Sequence, residues 1–385
     1  MIVYATTIWT HHQSALCREL HNLLGDEFKM VISMPLEHAL CKERMAMGWD
    51  LIPPKEDWIV GPPLTFEEAR ATDYMRWIVD SEVAILGWIP YVDESLINRR
   101  IRTGKITLFQ GERLFKEERR WFDYLNPRVL KRWAVWSWRF HHRNVYYLTL
   151  SHWCREDLRF LRGCKGRIFR WGYLTCVDEA PPRKTQNDRV RIGWCGRMLE
   201  LKNVNHLIEA VARLPEDLRR RCEVEIVGNG EEEVALKDLV RQLQLEDIVR
   251  FSESVSSSDA LAFMRSLDVY VFPSNRQEGW GAVILEAMNA GCAVVASTAA
   301  GATLDLIENG VNGFTFEVGD VDGLVFRLAE LISSLERCRA VGFCAWKSVR
   351  EWSPKIGALR LLSLIRAIVA GGDLRLYSGL GELVG

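Results

Sequence analysis

From Val190 onward the chain alternates between short runs of β-branched and aliphatic residues and longer stretches with helical apolar periodicity. Val190–Trp194, Val224–Val227, Val249–Phe251, Asp268–Phe272 and Ala293–Ala296 read as buried strands. Between them, Asn203–Leu214, Glu231–Gln244, Asp259–Ser266 and Gly281–Ala290 read as helices. The first of these carries Val204, Leu207, Ile208, Val211 and Ala212 on one stripe, and the second carries Val234, Leu236, Leu239, Val240 and Leu243. Ser256, Ser257 and Ser258 precede the third and supply its N-cap. Strands separated by helices demand crossover connections, so this half is expected to be an α/β, doubly wound parallel sheet. Its ligand crevice then lies at the C-terminal ends of the strands.

The first half has the same character in looser form. Ile2–Thr6, Lys29–Ser33, Val83–Leu86 and Lys105–Phe109 predict strands, and Ser14–Leu24 predicts a helix burying Ala15, Leu16, Leu20, Leu23 and Leu24. The stretch 178–188, with Pro181, Pro182, Lys184, Gln186 and Asn187, lacks apolar rhythm and predicts a linker. Two domains follow, residues 1–177 and residues 189–350, and 385 residues suffice for both. Trp352-Ser353-Pro354 then breaks the chain. The apolar helix 354–370 needs a surface to bury against and is expected to return and complete the first domain.

The 50 basic and 51 acidic residues leave a net charge of -1, so nucleic acid is not an expected partner. Ten cysteines include no C-x-x-C pair and no zinc spacing, which predicts reduced, mostly buried thiols and no metal. Met1–Ile8 has no basic lead, and no run of ~18 apolar residues occurs, so a cytoplasmic location is the expectation. Trp121–Arg143 interleaves Trp121, Trp133, Trp136 and Trp138 with Arg128, Lys131, Arg132, Arg139 and Arg143. The spacing of Val129, Trp133 and Trp136 favours a helix that buries its aromatics and solvates its arginines. The other reading is a basic aromatic helix making peripheral contact with the inner face of the cell membrane.

Two constellations carry chemistry. Gly193-Trp194-Cys195-Gly196-Arg197 follows a strand, and Lys202 comes five residues after Arg197. Glycine permits close backbone approach, and two cations at a helix N-terminus neutralise a diphosphate. In the second, Pro273 to Met288, Glu278 lies in a Gly-rich loop and Glu286 eight residues later in the helix that follows. Glu278 suits a bound sugar, and Glu286 suits two vicinal hydroxyls such as a ribose presents. Gly279 and Gly281, flanking Trp280, leave that helix N-terminus bare for phosphate oxygens. Glu286 sits among Val283, Ile284, Leu285, Ala287 and Met288, where a carboxylate needs a partner. Gly228-Asn229-Gly230 lacks the third glycine of a dinucleotide fingerprint, so hydride chemistry is not expected.

These pieces, in order, resemble the donor-binding domain of retaining GT-B glycosyltransferases of family four, the glycosyl transferases group 1. The matching segments are Cys195–Met198 with Lys202-Asn203, Ile226–Gly230, Val269–Ser274, Glu278–Glu286, Ala290–Ala296 and Ile307–Phe314, a third of the chain. The resemblance implies two Rossmann-like domains facing across a cleft. It implies that Arg197 and Lys202 hold the donor diphosphate, Glu278 the transferred sugar and Glu286 the ribose. Gly196, Gly228, Gly279, Trp280 and Gly281 then line the donor, with the base near Phe251 to Val255, against Ser254 and Val255.

The N-terminal half is similar to transferases of bacterial surface-polysaccharide clusters through His11-His12-Gln13 and Glu112-Arg113-Leu114-Phe115-Lys116. It departs from the family in lacking a Gly-rich loop after the first strand and a histidine after the strand ending at Gln110. Glu112 and His12 are therefore candidates for catalysis, for acceptor binding or for stabilising a turn. Asp320-Val321-Asp322 spells the D-x-D of metal-dependent transferases, but it precedes the apolar stretch Leu324–Leu335, which makes Asp320 a helix N-cap. The expected enzyme moves a hexose, with retention and without metal or cofactor, from a nucleotide-sugar donor (a uridine-linked co-substrate) to a glycan or lipid-linked acceptor. Its setting is cell-surface polysaccharide biosynthesis. The alternatives are a sugar-nucleotide epimerase of similar architecture and a non-catalytic donor-binding subunit.

Overall fold

The computed structural model describes residues 1–46, 50–65, 67–68, 74–87, 94–113, 126–177, 179–182 and 188–384. Among them thirteen strands form two sheets, and every strand pairing is parallel. Parallel strands covered by helices on both faces are largely apolar, and the central ones, such as Val83–Leu86 and Val269–Phe272, are buried throughout. The chain divides into two units, Met1–Cys176 with Trp352–Gly385, and Val177–Glu351.

In the first unit the strands are β1 (Ile2–Thr6), β2 (Phe28–Ile32), β3 (Ile59–Val60), β4 (Val83–Leu86), β5 (Ile106–Gly111), β6 (Val145–Thr149) and β7 (Ile168–Arg170). Their order is β3-β2-β1-β4-β5-β6-β7, with Ile2 paired to Phe28 on one side and Val83 on the other. Winding reverses between β1 and β4, where such sheets open a crevice. Val3, Ala5, Ala84, Leu86, Phe109, Phe140 and Tyr147 are core residues.

The helix Pro127–His141 departs from its predicted faces. Trp136 and Phe140 pack inward, with the Trp136 ring 5.8 Å from Phe109 and Phe140 5.3 Å from Tyr147. Trp133 is 38% exposed instead, beside exposed Leu130 and Trp138. It lies at one margin of a stripe centred on Trp136 and Phe140, and Arg139 lies buried at the other. That arginine is buried rather than solvated because its Nε donates to Asn98 Oδ1 at 2.9 Å and its guanidinium lies 4.8 Å from the Trp136 ring. Trp121 and the side chains of Arg128 and Arg132 lie outside the described residues.

Buried Arg100 shows how this unit satisfies a cation without a carboxylate. It donates to the carbonyls of Val79 (3.0 Å), Ser81, Glu82 (3.1 Å) and Ile106 (2.7 Å) and to Thr107 Oγ1 (3.2 Å). Burial pushes its pKa down to about 10. The helix Pro354–Ala370 belongs to this unit and packs on the helix His11–Leu24. Gly357 lets this helix pass close to Leu174, since a Cβ there would fall 2.2 Å from Leu174 Cδ1.

In the second unit the strands are β8 (Val190–Cys195), β9 (Cys222–Val227), β10 (Val249–Ser252), β11 (Val269–Phe272), β12 (Ala293–Ser297) and β13 (Gly313–Phe316). They run β10-β9-β8-β11-β12-β13, reversing between β8 and β11. Two helix predictions need correction. The helix Glu233–Gln242 buries Leu236 and Val240 but leaves Val234, in its first turn, 72% exposed. The apolar stretch after Asp320 is not one helix to Leu335. It ends at Ser333, and Ser334 caps the next helix, Leu335–Ser348, by accepting from the Arg337 amide at 3.2 Å. Among the described residues no helix is long and apolar enough to cross a membrane.

Candidate functional site

The loops leaving β8 and β9 are stitched backbone to backbone. The Gly196 amide donates to Val227 O (3.0 Å), Met198 to Asn229 O (2.7 Å), Glu232 to Met198 O (3.0 Å), and Gly228 to Ser252 O (3.0 Å). Only glycine allows this approach. Gly228 has φ +135°, and a Cβ there would sit 1.9 Å from the Gly196 carbonyl oxygen. Gly230 meets the Met198 carbonyl oxygen in the same way, at 2.4 Å.

The loop after β11 is tied to the turn that carries Lys202. Asn275 N–H donates to Leu201 O at 2.9 Å, and Asn203, held left-handed at φ +47°, donates its side-chain amide to Pro273 O at 3.2 Å. Between these ties the Lys202 ammonium forms an ion pair with Glu278, both side chains being mostly buried. The ammonium also lies 5.7 Å from the Phe272 ring. Glu278 is presented by an Asx turn, in which Gln277 N–H donates to Asn275 Oδ1 at 2.9 Å and Glu278 N–H to Asn275 O at 3.1 Å.

After half-buried Gly279 comes fully buried Trp280, whose carbonyl accepts from Ala302 N–H at 2.7 Å. Gly281, at φ +85°, caps the helix Ala282–Asn289 and rests on the Phe272 ring, 3.1 Å from where its Cβ would be. Phe272 is thus the common floor of Lys202 and of the helix N-terminus.

Glu286, half-buried in that helix, faces back towards the end of β8. Burial, and after it the charge of Glu286, pushes the Cys195 thiol up to about 11. Tyr270 on β11 completes this corner, with its hydroxyl donating to Cys195 O at 3.0 Å and accepting from Cys195 N–H at 3.3 Å. Phe272 and Tyr270 were absent from the sequence-derived site, because alternate residues of a fully buried strand carry no signal separating floor from filler. Arg197 is exposed directly after Gly196, and Ser254 and Val255 are exposed in the loop after β10, next to the Ser252 carbonyl that holds Gly228. Lys202, Glu278 and Gly281 therefore meet over Phe272, while Gly196, Gly228 and Glu286 gather at the end of β8. A cation, bare backbone and a helix N-terminus suit an anionic phosphate, and two carboxylates suit hydroxyl groups.

Asp320 Oδ1 accepts from Gly323 N–H at 2.8 Å as the N-cap of the helix Val321–Ser333, and Asp322 pairs with Arg213 at 2.9 Å. In the first unit Glu112 follows β5 and accepts from the Tyr173 hydroxyl at 3.0 Å. Burial first, and then that carboxylate, raises the Tyr173 phenol well above its ordinary value. On the same strand, Gln110 Oε1 accepts from buried Tyr4 at 3.0 Å. The side chain of His12, and residues Leu114 to Lys116, lie outside the described residues.

Residues 178–343 match the model of the family described as glycosyl transferases group 1. The chain is similar to the lipopolysaccharide core biosynthesis glycosyltransferase LpsE of Rhizobium meliloti, 32% identical over 162 residues, or 42% of this chain and 45% of LpsE. It is similar as well to the capsular polysaccharide biosynthesis glycosyltransferase CapM of Staphylococcus aureus, 27% identical over 175 residues, or 45% and 44% of the two chains. The chain spans less than half the length of these curated relatives. Among solved structures, HepE of Anabaena in complex with UDP superposes with a TM-score of 0.69 at 15% identity, over 95% of this chain and 99% of HepE. WaaG, a glycosyltransferase of lipopolysaccharide biosynthesis, does so with a TM-score of 0.61 at 15% identity, over 97% and 100%. The similarity to the glycosyl transferases group 1 thus spans residues 178–343, and the two sheets are those of the GT-B fold.

Proposed function

We propose that this chain is a retaining glycosyltransferase moving a hexose from a UDP-linked donor to a glycan or lipid-linked acceptor in cell-surface polysaccharide assembly. The observation that carries the reading is the Lys202–Glu278 pair seated on Phe272 beside the Gly281 helix N-terminus. Without donor, each partner is the other's counter-ion. A diphosphate takes over Lys202 and frees the Glu278 carboxylate to accept hydrogen bonds from the sugar. Arg197 supplies the second cation, Glu286 holds the ribose hydroxyls, and Ser254 and Val255 flank the base. LpsE and CapM, named for polysaccharide biosynthesis, and HepE, solved with UDP, support the substrate class.

In the reaction the bond from the anomeric carbon to the diphosphate breaks, and the acceptor oxygen bonds to that carbon on the same face. The acceptor proton passes to the departing phosphate. Negative charge grows on the leaving group, so preorganised cations lower the barrier more than a strong base would. With Arg197, Lys202 and a helix N-terminus facing the phosphate, neither metal nor cofactor is required. Glu112 and His12 serve the acceptor. Exposed Leu130, Trp133 and Trp138, with exposed Lys131 alongside and Arg102 lying 5.6 Å from the Trp138 ring, suit peripheral contact with the cytoplasmic face of an anionic membrane.

Mass-spectrometric product analysis with UDP-hexoses tests the reading, with and without a glycan acceptor and with EDTA throughout. Transfer that needs acceptor and persists in EDTA is expected. Sugar interconversion without acceptor would indicate the epimerase, binding without turnover a donor-binding subunit, and rescue by manganese a metal-dependent reaction.

A further inference from the structure

Two buried guanidinium groups of the first unit, those of Arg100 and Arg139, are held by several partners. Arg100 has six acceptor atoms, and Arg139 has Asn98 and the Trp136 face. Arg113 differs. It is the second residue beyond β5, and its Nε and Nη1 are buried with no hydrogen-bond partner. What holds it is the ring of Trp153, 5.8 Å from its guanidinium carbon. Trp153 stands in the first turn of the helix His152–Phe160, whose N-cap, Ser151, is fully buried. The ends of β5 and β6 are joined there by the Leu150 amide donating to Gly111 O at 2.9 Å. The neighbouring carboxylate, Glu112, accepts from Tyr173.

A cation stripped of water on two N–H groups and left without acceptors is costly unless something arrives to take them. An aromatic face beneath the guanidinium leaves its in-plane N–H groups available to an oxyanion; Nε and Nη1 lie on different edges, and each can be taken in a planar two-point contact together with Nη2. The place is the carboxyl end of a parallel sheet, where ligands of such sheets bind, and a helix N-terminus beside it adds favourable potential for negative charge. We propose that Arg113 binds an oxyanion, phosphate or carboxylate, carried on the sugar of the acceptor. The inference rests on the reading of the first unit as the acceptor side of a transferase, and it narrows the acceptor to an anionic one.

Calorimetric titration of the full chain tests this with glucose 6-phosphate, methyl glucuronide, neutral methyl glucoside and inorganic phosphate, beside UDP as a separate probe. Wild type is expected to bind one anionic sugar at least about tenfold more tightly than methyl glucoside and than inorganic phosphate, as charge-assisted hydrogen bonds imply. Which of the two sugars wins separates phosphate from carboxylate. Arg113→Met should abolish that preference, keep UDP affinity and leave the thermal midpoint unchanged or raised, because a desolvated lone cation is removed. Arg113→Lys, keeping charge but not the two-point geometry, should fall between. No preference in wild type, a preference that survives Arg113→Met, inorganic phosphate binding as tightly as the sugar, or a lowered midpoint in both variants would each overturn the proposal. Failure of wild type to bind UDP would instead refute the donor reading and leave the anion comparison standing.

Discussion

The two sheets present their strand ends in different ways. In the second unit the edge is backbone against backbone, with the loops after β8 and β9 joined by amide–carbonyl bonds and glycines that admit no Cβ. In the first unit the corresponding edge has backbone bonds too, from Gly87 N–H to Ala5 O and Leu150 N–H to Gly111 O, but side chains are added to them, with Tyr4 on Gln110, Tyr173 on Glu112 and Arg113 over Trp153. A backbone edge is fixed in shape and suits one constant group, such as a diphosphate. A side-chain edge can be rebuilt residue by residue and suits partners that vary. On the proposed function, the same architecture would serve as a rigid reader of the donor and an adaptable reader of the acceptor.

Gly228→Ala should break this contrast most severely. Its Cβ would meet the Gly196 carbonyl at 1.9 Å, so the loss should be about 3 kcal/mol or more in denaturant unfolding, together with UDP binding. A loss near 1 kcal/mol would mean the edge relaxes and is not rigid. Next come Arg197→Ala and Lys202→Ala, each expected to lower turnover by about 3 kcal/mol of barrier, roughly a hundredfold. Donor binding should fall less, since the bond being broken builds the charge they meet. Arg197→Lys sharpens the point by keeping charge without bidentate geometry. Near-normal turnover in all three would move leaving-group stabilisation elsewhere.

Glu286→Ala should weaken UDP by about tenfold while the fold persists, consistent with one or two lost hydrogen bonds. Unchanged calorimetric affinity would remove it from the ribose. The smallest effect belongs to the other edge. Tyr4→Phe should cost about 1 kcal/mol, leaving Gln110 Oε1 without its buried donor, and should not alter UDP binding. A loss as large as that of Gly228→Ala would erase the distinction between the two edges.

The contrast also explains what was legible in the sequence. Backbone edges demand glycine at fixed spacing, so Gly196, Gly228 and Gly281 could be read along with the strands that precede them. Glu278 and Glu286 stood out as carboxylates in apolar or glycine-rich surroundings, yet their pairing with Lys202 and with the Cys195 corner needs three dimensions. The short strand β7, three residues long, has no period to detect, and β6 follows directly on an Arg- and Trp-rich helix. Arg139 read as solvated because a helical wheel cannot see Asn98. Arg113 was visible only as part of a motif. Its burial depends on Trp153, forty residues away in sequence, and no local pattern records that.

The Lys202–Glu278 pair also bears on how a turnover ends. On the proposed function, an intact donor would satisfy both partners, phosphate on the ammonium and sugar hydroxyls on the carboxylate. Once the sugar has left, a nucleoside diphosphate that keeps Lys202 strands Glu278 in a mostly buried position with nothing to accept from. The carboxylate would then compete to reclaim its lysine, and the spent nucleotide is expected to be held less firmly than the donor it came from. Product departure is on this view driven by the same two side chains that receive the substrate, and an inhibitor made of nucleotide alone would always be working against Glu278.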